Sequence, residues 1–148
     1  MKKWRLVFLI VTVAAFLPGA PAVADNLEGS DAFLCSTSQA ILCAPDEECE
    51  SGSASSLNIP QFIEIDLAGK MLRTTQASPA LRQTPILHVQ RADGLIILQG
   101  AEMGRAFSFV ISESTGEITA AVARDGVAVV VFGACTPLPA AAAAHAKR

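Results

Sequence analysis

Ile86-Leu87-His88-Val89-Gln90-Arg91-Ala92-Asp93-Gly94-Leu95-Ile96-Ile97-Leu98-Gln99-Gly100 is the stretch on which the fold turns. A strand-like run from Ile86 to Arg91 meets Asp93-Gly94, and Leu95 to Gly100 returns. Asp-Gly between apolar runs marks a tight hairpin, because both central positions of a type I′ turn need positive φ. Downstream, Arg105 to Ser112 places Phe107, Phe109 and Ile111 on one side and Ala106, Ser108 and Val110 on the other. Thr115-Gly116 turns the chain, Ile118 to Ala123 runs to a second turn at Asp125-Gly126, and Val127 to Ala134 follows. That last run is the most apolar and is expected to be buried on both faces.

Upstream the same period of two holds. Ile63, Ile65 and Leu67 alternate with Glu64 and Asp66, Ala68-Gly69 reads as a turn, and Met71 to Thr75 as the returning strand. A looser stretch with Pro79 and Pro85 separates these halves. Seven or so short strands joined by turns predict an all-β antiparallel meander. Closing such a sheet removes exposed edges, so a small closed or partly open β-barrel is expected, with a β-sandwich as the alternative. The two Asp-Gly hairpins resemble each other and each return strand ends in Gly-Ala. A duplicated unit would explain this, but any tight hairpin before a buried strand selects such residues.

The chain opens with Lys2, Lys3 and Arg5, an apolar run from Leu6 to Leu17, and Ala22-Val23-Ala24. This is the pattern of a cleaved signal peptide over residues 1–24, with a mature start at Asp25. The apolar run is shorter than the ~20 residues that span a bilayer. The expected location is periplasmic or secreted. Residues 25–58 form a cysteine-rich segment that packs with an antiparallel β domain over 59–136; residues 137–148 read as a flexible Ala-rich tail. Residues 25–34 and 50–58 are polar and flexible by composition.

Loss of the three basic residues takes the basic count from 11 to 8 against 14 acidic residues, a balance of −6. An acidic surface disfavours nucleic acid and anionic membranes, and no second apolar stretch is long enough for stable membrane insertion. The only tryptophan, Trp4, lies in the leader, and there is no tyrosine. A lectin-like platform is therefore disfavoured, because sugar sites lean on large rings with a polar handle. A cavity lined by Phe107 and Phe109 is not.

Four cysteines, Cys35, Cys43, Cys49 and Cys135, follow the leader. In an oxidising compartment they are expected as two disulfide bonds, and the absence of a CxxC pair argues against zinc. The favoured pairing is Cys43 with Cys49 and Cys35 with Cys135, the latter joining first and last segments of a closing sheet. Cys35 with Cys43 and Cys49 with Cys135 stays open as the rival.

Nothing in the sequence calls for a cofactor or a catalytic set. Asp46, Glu47, Glu48 and Glu50 crowd around Cys49, but their spacing is not that of a calcium loop, so a solvated acidic loop is the better reading. His88 is the one histidine within the expected fold; its alternation with Leu87 and Val89 puts it on the face of Ile86 and Gln90. It could act as a general base, although no serine stands in a nucleophile motif. A soft-metal set of His88, Met71 and Met103 would need the fold to assemble it. Glu102 and Arg105 flank Met103-Gly104; Arg105 leads into the phenylalanine-bearing strand and would meet an acidic ligand group at a barrel mouth.

The early cysteine cluster, Asn58-Ile59-Pro60-Gln61-Phe62, Ile65-Asp66-Leu67, Leu98-Gln99-Gly100, Gly104-Arg105-Ala106 and Phe132-Gly133-Ala134-Cys135-Thr136 resemble a group of small secreted or periplasmic proteobacterial proteins of unknown function. The resemblance covers Phe33 to Pro137 and implies export, without an activity to carry over. The G-x-W opening of lipocalins is absent. The sequence thus points to a non-enzymatic binding module for a small apolar ligand, held by residues such as Phe107, Phe109 and Val131, or for a periplasmic protein met by Glu102 to Arg105. A structural or envelope-stress protein is the alternative, and an enzyme comes third.

Overall fold

A computed structural model describes residues 26–78 and 81–139. The expected signal peptide, Pro79 and residues 140–148 of the expected tail lie outside them. The described chain is all β: β1 (Ala32–Cys43), β2 (Glu50–Ser53), β3 (Phe62–Asp66), β4 (Met71–Thr74), β5 (Gln83–Pro85), β6 (His88–Ala92), β7 (Leu95–Glu102), β8 (Arg105–Ser112), β9 (Glu117–Arg124) and β10 (Val127–Pro137). They form one antiparallel sheet in the order β5-β4-β3-β1-β10-β9-β8-β7-β6, with β2 alongside the second half of β1. The sheet curls into a half-barrel, so the barrel-like expectation holds and the sandwich does not.

The curl follows from the meander. Strands β3 to β5 and β6 to β10 pair in chain order, and β1 joins the two runs by lying between β10 and β3. The two edge strands, β5 and β6, are consecutive in sequence, and the link between them touches both edges. Ile86 donates its N–H to the Lys70 carbonyl (2.9 Å), and Leu87 donates to Gln99 (2.9 Å). Edge groups that would otherwise face water are thereby paired.

The period of two fixes the inner face. Phe33, Cys35, Ile65, Leu72, Ile96, Leu98, Phe109, Ile111, Ile118, Ala120, Val131 and Cys135 all belong to one buried cluster. The opposite face of the sheet is in solvent. Here the expectation for β10 is corrected: Ala128, Phe132 and Ala134 are exposed, because no second layer among the described residues covers the outer face.

The N-terminal segment is also more structured than its composition suggests. Residues 32–34 open β1, residues 50–53 form β2, and Leu27 is fully buried. Leu27 donates its N–H to the Glu113 carbonyl (2.7 Å) at the end of the sheet that carries the Asp93-Gly94 and Thr115-Gly116 turns. Arg91 holds the same segment through the Ser30 carbonyl and Asp31 (3.8 Å), and also pairs with Glu113 after β8 (3.5 Å). This end of the half-barrel is therefore plugged. Pro137, expected in the tail, still pairs with Phe33, and Leu138 donates to the Ala32 carbonyl.

Both favoured disulfides are present. Cys35 bonds Cys135 and Cys43 bonds Cys49, leaving no free cysteine. At Asp93-Gly94 both residues have positive φ (55° and 74°), as a type I′ turn requires, and Met103-Gly104 matches it (47° and 75°). At Asp125-Gly126 only the glycine does. The two Asp-Gly hairpins thus share residues but not backbone geometry.

Candidate functional site

At the end of the sheet opposite the Leu27 plug, the inner face runs out into an open cavity of about 140 Å³. Its apolar wall comes from β3 (Ile63), β4 (Leu72), β8 (Phe107 and Phe109) and β9 (Val122), with Pro60 at the lip. Each strand residue continues the inward register of a buried neighbour: Ile63 precedes Ile65, Phe107 and Phe109 precede Ile111, and Val122 follows Ile118 and Ala120. Phe107 and Phe109 lie with ring centroids 5.2 Å apart and planes tilted by 55°, a favourable edge-tilted pair.

The same alternation carries charge into the mouth. Glu102 falls on the register of Ile96 and Leu98, and Arg105 on that of Phe107, Phe109 and Ile111. Glu102 and Arg105 are opposite each other in the β7–β8 ladder, on either side of the Met103-Gly104 turn. They do not form an ion pair; instead Thr84 donates its hydroxyl to Glu102 Oε2 (2.5 Å), tying β5 to β7. Arg82 and Thr84 share the inward register with Ile86 and also line the cavity. Arg73 touches the lining as well, but it is bound to Asp66 (3.4 Å).

Gly100 explains how the Phe107 ring and Pro85 of β5 both come close to β7 there. A Cβ on Gly100 would run into the Phe107 ring and lie 2.8 Å from the Pro85 carbonyl oxygen. The missing side chain leaves room for the ring against the strand.

Four sequence candidates, Glu102, Arg105, Phe107 and Phe109, are therefore brought together in one cavity. Val131 is not among its walls and lies in the buried core. His88 is elsewhere, and its expected face is corrected. Ile86 is buried, but Leu87 and His88 are both exposed and Val89 turns inward. The alternation slips by one residue where the chain crosses from the β4 edge to the β7 edge, which moves His88 to the outer face. Met103 is exposed at the tip of its turn, and among the described residues no three His, Cys, Asp or Glu side chains gather around a common point. Asp46, Glu47, Glu48 and Glu50 are exposed around the Cys43–Cys49 loop.

Ile63, Leu72, Thr84, Arg82 and Val122 were not singled out by sequence. Only the curl brings β4 and β5 against β8 and β9. The readable signal was the continuation of the inward register past the core. A second, more polar depression lies beside the cavity, between Ser55, Asn58, Phe62 and Ser78, and shares Pro60 and Arg82 with it. No protein-family model matches the chain, and no curated protein matches it in sequence.

Proposed function

We propose that this chain is an exported, non-enzymatic binding module, periplasmic or secreted, that takes a small apolar molecule into the open end of its half-barrel. The observation that carries the reading is the cavity of about 140 Å³ walled by Ile63, Leu72, Phe107, Phe109 and Val122. A cavity of roughly 150 Å³ with such a lining holds a molecule of benzene's size. Two disulfides are at home in an oxidising compartment, and the leader-like residues 1–24 supply a route to it. Kinship with the small secreted proteobacterial proteins the sequence resembles belongs to the same proposal.

Binding would work by desolvation. The walls are fixed by the ladder and by the plugged far end, so an apolar ring displaces water without reordering the protein. The test is titration of toluene into methyl-labelled protein. Shifts confined to Ile63, Leu72 and Val122 support the reading. An unperturbed spectrum at saturating toluene overturns it in favour of a structural role. Native mass spectrometry of protein drawn gently from its export compartment would report a resident ligand and a mature start at Asp25.

A further inference from the structure

We infer that the molecule taken into this cavity is an acid: a compact apolar group carrying one carboxylate, its ring or branched chain inside and its charge among the arginines of the mouth. The inference rests on the cavity reading above and adds the ligand's chemical class. Arg105 and Arg124 stand directly opposite each other in the β8–β9 ladder. Both lie on the inward register, Arg105 with Phe107 and Phe109, Arg124 with Ile118, Ala120 and Val122. Like charges directly opposite in a ladder are unfavourable.

No ion pair with a described carboxylate relieves them. The described ion pairs are Arg73–Asp66, Arg91–Asp31 and Arg91–Glu113, so neither Arg105 nor Arg124 has a carboxylate partner among the described residues, and neither has Arg82. The one carboxylate in the cavity wall, Glu102, is held by the Thr84 hydroxyl. Arg82 and Arg105 thus line an apolar hole, with the exposed Arg124 across the ladder from Arg105, against one carboxylate, in a chain whose formal charge is −3 overall. Guanidinium groups offer forked donors that fit a carboxylate, and the dry wall beside them strengthens the bond. Neutralising the Arg105–Arg124 pair and filling the hole would be one event.

Two probes of nearly equal shape separate the charge from the ring: phenylacetate and phenylacetamide, titrated by calorimetry at low and moderate salt. Phenylacetate is expected to bind about tenfold more tightly, with the preference shrinking as salt rises. Arg105→Gln and Arg124→Gln should each reduce the preference, and wild-type methyl shifts in the buried core at Ile96 and Ile111 show that each variant is folded. Glu102→Gln, which removes the competing carboxylate, should increase it. Equal affinity for the two probes, with toluene still bound, overturns the acid while the cavity reading stands. Failure of all three probes overturns both.

Discussion

Cys35 stands directly opposite Cys135 in the β1–β10 ladder, with Cα atoms 3.9 Å apart and the sulfurs bonded. Both are buried, and they join the first and last strands of the sheet across 100 residues. A bridge closing so long a loop restrains the unfolded chain far more than one closing 6 residues, as Cys43–Cys49 does. Replacing Cys35 and Cys135 together by alanine should cost about 5 kcal/mol in urea denaturation, and the Cys43/Cys49 pair about 2 kcal/mol. Equal losses would mean that loop closure is not what the long bridge contributes.

Gly133 faces the irregular part of β1. Ser38 is an extra residue between Thr37, opposite Gly133, and Gln39, opposite Phe132. The bulge pushes the Ser36 carbonyl into the space a side chain at 133 would need, with its carbon 3.0 Å from an added Cβ. Backbone cannot step aside as a flexible side chain can. Gly133→Ala is expected to destabilise by about 1–3 kcal/mol. A variant melting at the wild-type temperature would show that the bulge can relax.

The Thr84–Glu102 hydrogen bond spans the point where the half-barrel's two edges meet. Thr84→Val keeps the shape and removes the donor, at a cost of roughly 1.5–3 kcal/mol for a bond to a charged acceptor, less where water reaches Glu102. The effect should be local. Amide exchange at Ile86 and Leu87, whose N–H groups bond the β4 and β7 sides respectively, should speed up together. Faster exchange at only one of the two would mean that the edges open independently.

The meander was legible because one wet face forces a strict period of two. Ile63-Glu64-Ile65-Asp66-Leu67 shows it most plainly, and Asp93-Gly94 marks its turn. β1 was not legible: Ser36, Thr37, Ser38 and Gln39 interrupt the apolar alternation, and the bulge at Ser38 breaks its register. The long bridge was nonetheless inferable, since a closing sheet makes its first and last segments neighbours. In the site, Glu102, Arg105, Phe107 and Phe109 could be read because two adjacent strands carry them. Leu72, Thr84 and Val122 could not, since their meeting depends on how far the sheet curls. The face of His88 depended on a one-residue slip, which periodicity cannot foresee.

The cavity itself yields the last prediction. Val122 lies opposite Phe107 in the β8–β9 ladder and opposite Val129 in β9–β10, with its side chain on the cavity wall. Val122→Phe should send a ring into that empty volume rather than into packed core. Added atoms that meet open space are tolerated, whereas overpacking a filled core costs about 1–3 kcal/mol. The variant is therefore expected to melt within a few degrees of wild type and to show no toluene shifts at Ile63 or Leu72. His88→Ala, on the outer face, should leave both stability and toluene shifts unchanged, with stability within about 0.5 kcal/mol. Toluene binding that survives in a well-folded Val122→Phe protein would place the site elsewhere. Loss of binding in His88→Ala would mean that the outer face of β6 reaches the ligand, which this geometry forbids.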